Sequence, residues 1–139
     1  MMRLATQFAG SHVSTDTVNL MIALEQLDEI LMTHVFRFTN ERDLQDGIAL
    51  ALTAASIPFT REHRLGATDR VDFLIAPGIA VEIKVDGSLM ALLRQVQRYA
   101  SHVAVQSIVV IGTPAWLTKM PVEISGKPLH GHRLMASMF

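Results

Sequence analysis

The sequence predicts one α/β domain with a central mixed β-sheet flanked by α-helices. Three segments have the apolar spacing of amphipathic helices, and three short strand-like runs separate the second of them from the third. The run from Val105 to Ile111 is almost wholly apolar, as is typical of a central strand covered on both faces. The resulting order of helix, helix, three strands, helix and strand indicates an α/β architecture.

The composition is that of one globular domain. The chain has 139 residues, half of them hydrophobic, which is enough to bury a core, and we treat residues 1–139 as a single domain. No apolar run is long enough to span a bilayer, and the N-terminus lacks the features of a secretory signal. The chain has no cysteine, which excludes disulfides and thiolate metal sites and is compatible with the cytoplasmic localisation that we expect. The formal net charge of −1 argues against a broad basic surface but leaves room for a local basic groove.

Residues 1–36 are predicted to form an arm followed by an amphipathic helix. Thr15 and Asp16 offer an N-cap, and the helix is expected to run from Val18 to about Phe36. Its apolar stripe consists of Leu20, Leu24, Leu27 and Leu31. Such a stripe packs on the domain more often than it pairs with a second copy, although a homodimer through this helix is the alternative.

Residues 40–111 are predicted to form the core of the domain. Asn40 followed by Asp43 resembles a helix cap, and the second helix is expected to reach Ser56, before Pro58. The alternating segment 59–65 is predicted to be a half-exposed strand.

Two short strands, 70–74 and 80–85, are predicted to form a hairpin through the turn at Pro77 and Gly78. This hairpin would fold Asp72 back beside Glu82. Glu82 and Lys84 lie two residues apart and share one face of their strand. Charged side chains on an otherwise buried strand are costly unless they are paired or bind a metal ion, so this hairpin is the first place to look for function.

A third helix is predicted from Leu89 to about Val103, capped by Ser88. Residues 112–139 are expected to be a C-terminal extension with a short helical piece around Trp116 and a hairpin across 125–127. His130 and His132 alternate in this extension, and without a third ligand nearby an exposed strand is the favoured interpretation.

The acidic residues have the chemistry of a phosphodiester-cleaving site, which requires a divalent ion, a nucleophilic water and a nearby cation. Asp72 and Glu82 offer oxygen ligands for Mg²⁺ or Mn²⁺, and the carbonyl of Ile83 is a further candidate ligand. Glu41, at the start of the second helix, can place a carboxylate in the same site, and Lys84 can orient water and stabilise developing charge. Taken singly, a surface Glu-Lys pair and an acid at a helix N-terminus are the commoner explanations.

The third helix offers candidate substrate contacts. Gln95 and Tyr99 lie four residues apart on one face, from which an amide and a phenol can reach a nucleic-acid backbone. Arg94 and Arg98 lie beside them and are candidates for phosphate contacts. A solvated helix face explains the two arginines equally well.

Together these residues resemble the PD-(D/E)xK, or restriction-endonuclease-like, nuclease superfamily over roughly Glu41 to Ile111. The family order is an acidic helix residue, a strand Asp, a Glu-x-Lys in the next strand, a helix and a further strand. Here that order corresponds to Glu41, Asp72 and 82–84, followed by the third helix and the apolar strand. The segment from Gln95 to Tyr99 also matches the QxxxY element of the RecB-like branch. Val71 stands where the proline of the family motif would be.

The resemblance implies a restriction-endonuclease-like core and a Mg²⁺-dependent endonuclease that hydrolyses DNA. In that interpretation Glu41, Asp72, Glu82 and Ile83 bind the metal, Lys84 completes the catalytic set, and Gln95, Tyr99, Arg94 and Arg98 contact DNA. Small members of this kind include phage- or mobile-element-borne nucleases and dimeric junction resolvases. Two alternatives remain, a non-catalytic module that keeps the fold, and a nuclease that relies on a partner protein for DNA binding, which the near-neutral charge fits.

Overall fold

A computed structural model describes residues 13–135, and the arm predicted before them lies largely outside the described part. It has three α-helices, α1 Thr15–Thr33, α2 Glu41–Ala54 and α3 Leu89–Ala100, and one short 3₁₀ helix, Ala115–Lys119. The strands are β1 Phe59–Arg64, β2 Arg70–Ile75, β3 Ile79–Lys84, β4 Ser107–Gly112, β5 Glu123–Ile124 and β6 Lys127–Arg133. Among these residues no helix is both long enough and apolar enough to cross a membrane.

The strands form one mixed sheet in the order β1-β2-β3-β4-β6-β5. The first three strands are antiparallel neighbours, β4 runs parallel to β3, and β6 runs parallel to β4. The predicted α/β class with a mixed sheet flanked by helices is therefore confirmed. The segment after residue 112, predicted as an extension to the core, instead completes the sheet, because β6 pairs with β4 from Ile108 to Gly112 and the short β5 forms the predicted hairpin with it.

Side-chain caps define where the helices begin. The Ser14 hydroxyl accepts from the Thr17 amide, so α1 starts earlier than the predicted Val18, and the N-cap is Ser14 rather than Thr15 or Asp16. The Asn40 side chain accepts from the Asp43 amide at 2.8 Å, as predicted for α2. Ser88 caps α3 as predicted. The helices end two to three residues before the expected positions, at Thr33, Ala54 and Ala100.

The core lies in two layers, one on each face of the sheet. The layer under α1 and α2 contains Phe73, Val81 and Ile83 from the hairpin, and the layer under α3 contains Ala80. The leucine stripe of α1 is wholly in the first layer, and its members are Leu20, Leu24, Leu27 and Leu31. The stripe is therefore core, and it is not available as the seam of a homodimer.

A close approach between β3 and β4 fixes the end of β3. Lys84 lies opposite Gly112 in the parallel register, and a Cβ atom on Gly112 would overlap the carbonyl oxygen of Lys84. That carbonyl also accepts from the Thr113 amide at 3.1 Å. Only glycine fits at residue 112 with the strands in these positions, so this glycine sets where the Lys84 backbone lies.

Candidate active site

The backbone ladder between β2 and β3 stops where the two predicted acids face each other. The ladder runs from the pair of Ile75 and Ile79 to the pair of Phe73 and Val81. The next positions in that register are Asp72 and Glu82, and there the carboxylates replace the ladder. The Asp72 amide donates to Glu82 Oε1 at 3.4 Å, and the Ile83 amide donates to Asp72 Oδ2 at 2.7 Å. The predicted hairpin is present, and its open end is held by side chains rather than by backbone pairing.

Glu41 joins this end of the hairpin from α2. It is the first residue of α2, and its Oε1 accepts from the Val85 amide at 3.2 Å, one residue beyond β3. Each of the three predicted acidic residues thus accepts a hydrogen bond from a backbone amide in or next to the hairpin. The structure brings Glu41, Asp72 and Glu82 together from three separate elements.

Burial makes it costly for both hairpin carboxylates to be charged. Glu82 is only 5% exposed, and burial, reinforced by the neighbouring charge of Asp72, raises its pKa to about 8. Burial also raises the pKa of Asp72, to which the charges of Glu41 and Glu62 add, while the Ile83 amide acts in the opposite direction. The two carboxylates therefore share a region that favours a bound cation over two free negative charges.

Lys84 supplies one positive charge at this position. Its Nζ lies 3.8 Å from Glu82 Oε2, and its side chain is 25% exposed. Glu82 approaches Tyr99 of α3, and Lys84 lines a cleft with residues of α3, whereas Val81 and Ile83 pack on the other face. The predicted shared face of Glu82 and Lys84 is confirmed.

The direction of the Ile83 carbonyl follows from the direction of the Ile83 amide. The Ile83 N–H points toward β2, where it donates to Asp72. Because the N–H and C=O of one strand residue point to the same side of the strand, the carbonyl of Ile83 faces the same gap. A backbone oxygen is therefore available beside the carboxylates, as predicted.

Gln95 and Tyr99 form one hydrogen-bonded unit with Glu82. The Gln95 amide nitrogen donates to the Tyr99 hydroxyl at 2.7 Å, and that hydroxyl lies 3.0 Å from the carbonyl oxygen of Arg70 and 3.4 Å from Glu82 Oε2. Tyr99 is 2% exposed, and burial raises the pKa of its phenol. The phenol therefore lies next to Glu82 with little exposed surface, and the substrate contact predicted for Tyr99 stays a prediction. Gln95, which is half-buried, keeps that possibility.

The two predicted arginines of α3 differ. Arg94 is exposed and lines a cleft of about 270 Å³ together with Lys84 and Gln95. Arg98 lines the same cleft, but its Nε donates to Asp69 Oδ1 at 3.2 Å. Asp69 Oδ2 in turn lies 2.9 Å from His102 Nε2. Arg98 is thus paired with an acid, while 57% of its side chain is exposed.

Sequence reasoning missed Asp69, His102 and Gly112. Nothing in the neighbours of Asp69 along the chain indicates that it is buried beneath Arg98. Gly112 does carry a signal, since it follows the almost wholly apolar run 105–111, but its role depends on the register with β3. Both positions are set by contacts distant in sequence.

The donor set fits a hard divalent cation. Asp72, Glu82, Glu41 and the Ile83 carbonyl are all oxygen donors, which Mg²⁺ and Mn²⁺ prefer, and the raised pKa of Glu82 reflects charge repulsion and burial that a cation would relieve. In residues 13–135 no group of three or more His, Cys, Asp or Glu side chains is already arranged to hold a metal ion. Comparison with known proteins adds no assignment, because no protein-family model, no curated protein and no solved structure matches the chain.

Proposed function

We propose that the chain is a metal-dependent deoxyribonuclease with a restriction-endonuclease-like core. The observation that carries the proposal is the open end of the β2-β3 hairpin. There the ladder gives way to the carboxylates of Asp72 and Glu82, with Lys84 and Glu41 beside them and an open cleft along α3. Buried acidic residues that interrupt backbone pairing are costly for folding. Their position next to a cationic cleft is therefore better explained by a catalytic or metal-binding role than by a structural one.

In this proposal Asp72, Glu82, Glu41 and the Ile83 carbonyl hold Mg²⁺, for which Mn²⁺ can substitute. When bound, the ion supplies Lewis-acid polarisation of the phosphate and lowers the pKa of water. Hydrolysis adds water across one P–O bond, so that the hydroxyl joins phosphorus and the leaving oxygen takes a proton. The Lys84 ammonium group, held beside Glu82, orients the water and offsets the charge that builds up on the phosphoryl oxygens.

The buried phenol and its amide partner keep this arrangement in place. Tyr99 and Gln95 hold Glu82 from the α3 side, and Gly112 fixes the backbone of Lys84 from β4. These are positioning roles, since none of them requires contact with the scissile bond. The precision of the site therefore depends on α3 and β4 as well as on the hairpin.

The second candidate is a nuclease module that depends on a partner protein for DNA binding. The formal net charge of −1 favours it, because a chain with so little excess positive charge gains little affinity for DNA from its overall field. This candidate predicts a competent metal site together with weak, strongly salt-sensitive DNA binding by the isolated chain. A homodimer is not required by either candidate.

The test is cleavage of labelled single-stranded, duplex and four-way-junction DNA with Mg²⁺ or Mn²⁺. Lys84→Met and Asp72→Asn are compared with the unsubstituted protein, and Lys119→Met, an exposed lysine on the 3₁₀ helix, serves as the matched control. We expect both site variants to lose about 10²-fold or more in rate while the control is unaffected.

Two results would separate the candidates. If no DNA is cut but calorimetry shows that Mg²⁺ binds the unsubstituted protein and not Asp72→Asn, the partner-dependent module is the better description. Neither cleavage nor metal binding by correctly folded protein would exclude both.

A further inference from the structure

Two adjoining clefts lie along α3, and Gln95 and Arg98 line both of them. The first contains Lys84 and Arg94. The second, of about 380 Å³, lies on the Tyr99 side, and its lining is almost entirely polar: Arg64, Thr68, Asp69, Arg70, Gln95, Arg98 and Tyr99. The second cleft has no role in the chemistry described above.

The positive charge of the chain is concentrated around these two clefts. Five of its 12 Lys and Arg residues line them, namely Lys84, Arg94, Arg98, Arg64 and Arg70. Only two acidic residues line them, Asp86 in the first cleft and Asp69 in the second. A chain with a net charge of −1 thus carries a cationic track along one helix, which marks where an anion would bind.

Arg64 and Arg70 are placed against each other at the end of the sheet. They are directly opposed in the antiparallel register of β1 and β2. Like charges in opposed positions are destabilising. Within residues 13–135 neither guanidinium forms an ion pair with an acid, which is also true of Arg37, Arg94 and Arg133. What distinguishes Arg64 and Arg70 is that two exposed guanidinium groups oppose each other beside one cleft, where an anion can contact both.

Arg98 contributes to the second cleft a guanidinium group that is paired with Asp69. Asp69 binds its Nε and is itself held by His102, whose hydrogen bond is the main cause of the lowered pKa of the Asp69 carboxyl. The carboxylate stays charged and orients the guanidinium, so a ligand meets a preorganised donor. The second cleft contains three arginines and one acid, Asp69, which is already paired with Arg98. The net charge of its lining is therefore positive.

The second cleft is adjacent to the proposed reaction centre. The Tyr99 hydroxyl joins them, since it lies within hydrogen-bonding distance of the Arg70 carbonyl on one side and near Glu82 on the other. Arg70 and Asp72 are two residues apart on β2, which is about 6.6 Å along an extended strand, so the second cleft begins close to the carboxylates.

We propose that Arg64, Arg70 and Arg98 form a second phosphate subsite, which binds the phosphate next to the scissile phosphodiester on the strand being cut. This inference rests on the proposed nuclease function and extends it, because it fixes the path of the strand along α3 from the Lys84 cleft past Gln95. Binding by phosphates alone is independent of base sequence.

The first test is the salt dependence of binding. A labelled single-stranded oligonucleotide is titrated by fluorescence anisotropy without divalent metal, using Arg64→Ala/Arg70→Ala and the control Arg37→Ala/Lys119→Ala, which removes the same charge from exposed positions outside both clefts. Loss of one phosphate contact makes the slope of log K against log salt shallower by about 0.7. We expect that change, and roughly tenfold weaker binding at low salt, only in the cleft variant.

The cleft variant also has a built-in folding check. Removing two opposed like charges is expected to leave the melting temperature unchanged or to raise it. Equal weakening of binding in the cleft variant and the control would overturn the inference, as would the absence of any binding by the unsubstituted protein. Inorganic phosphate that binds as tightly as the oligonucleotide would also overturn it, since the cleft would then be a site for a free anion.

A second test separates this inference from the proposed function. With Mg²⁺, the unsubstituted protein is expected to cut a dinucleoside monophosphate more slowly than the same molecule carrying one additional terminal phosphate. The cleft variant is expected to cut both at the slower rate. Cleavage without such a preference would contradict the subsite and leave the nuclease proposal standing. No cleavage of any substrate and no Mg²⁺ binding, combined with a selective change in the salt slope, would contradict the nuclease proposal and leave only a phosphate-binding cleft.

Discussion

The face of the sheet under α1 and α2 and the face under α3 are built from the same strands but bury different chemistry. Under α1 and α2 the hairpin contributes Phe73, Val81 and Ile83 to a continuous apolar layer. Under α3 the apolar contact of Ala80 near the turn gives way to Glu82 and Lys84 at the open end. Within the hairpin, the buried carboxylate and its lysine thus lie at one end of the α3 face, beside the clefts, while the opposite face contributes apolar side chains to the core.

Two buried acids, Glu82 and Asp28, differ in their surroundings. Glu82 accepts from an amide and has Tyr99 and Lys84 nearby. Asp28 of α1 is 6% exposed, lies 3.8 Å from His132 Nδ1, and its Oδ1 has no hydrogen-bond donor among the described residues. Burial alone therefore does not mark a functional acid in this fold. The amide donors, the lysine and the open cleft distinguish Glu82 from Asp28.

The largest expected effect tests the stability role of the apolar face. Leu44 of α2 is fully buried in that layer, so Leu44→Ala should lower the free energy of unfolding by about 2–5 kcal/mol. Lys84→Met should cost less than this, because Lys84 is 25% exposed and the neighbouring Glu82, with a pKa of about 8, can take up a proton when the cation is lost. Urea denaturation monitored by circular dichroism measures both. Similar losses in free energy of unfolding in the two variants would contradict the assignment of stability to the face under α1 and α2.

A pair of glycine substitutions sharpens the comparison at the strand end. Gly112→Ala should cost about 1–3 kcal/mol and strongly reduce cleavage, because the added methyl group must displace the backbone of Lys84. Gly47→Ala, in the middle of α2, has a nearest contact of 3.4 Å to Phe36 and should stabilise by up to about 1 kcal/mol. Denaturation and cleavage assays on both proteins are the measurement. Retention of full activity by Gly112→Ala would show that the position of β4 does not govern Lys84.

Glu82→Gln tests how much stability the protein loses when the buried carboxyl group of Glu82 is charged. The folded-state pKa of Glu82, about 8, lies above its unfolded value, so the folded protein binds the extra proton and stability is lost as pH rises from near 4.5 through 8. At about pH 9 the variant should exceed the unsubstituted protein in free energy of unfolding by at least about 1 kcal/mol, the equivalent of one unit of pKa. Unfolding curves at a series of pH values without divalent metal measure it. A variant less stable than its parent at alkaline pH would contradict the argument.

His130 and His132 should have the opposite pH dependence, with a smaller effect. Burial lowers the pKa of both side chains below the unfolded value, so the unfolded protein binds more protons and stability falls as pH drops below about 6.5. Asp28 partly opposes the shift. His130→Asn/His132→Asn should flatten the acid side of the stability profile and leave the alkaline side unchanged. An unchanged acid slope would show that other groups control it.

Local sequence signals were sufficient for most of the fold. The caps at Asn40 and Ser88 and the turn at Pro77 and Gly78 act within a few residues, so they could be predicted from neighbours in the chain. The strand predicted at His130 and His132 is present as β6, but its expected exposure was wrong for a physical reason. Alternation along β6 shows that the two side chains share a face but not that α1 covers that face, and His132 is in fact buried.

The candidate site was predictable where chemistry and strand register coincide. Asp72 and Glu82 could be paired because a hairpin fixes which residues oppose each other. The orientation of Arg98 by Asp69, and the burial of Tyr99, depend on how α3 lies on the sheet. Periodicity predicts which residues share a helix face but not how deeply that face is buried. For this reason the sequence placed Tyr99 beside Gln95 but did not indicate its burial or its contact with Glu82.

The three amides that bind the acidic residues make the site observable without any substrate. The amides of Asp72, Ile83 and Val85 donate to Glu82, Asp72 and Glu41 respectively. A ligand that recruits those carboxylate oxygens must compete with the amide protons for them. In an NMR titration each resonance then reports on a different acidic residue, so the order in which the three peaks shift would give the order in which the carboxylates are engaged.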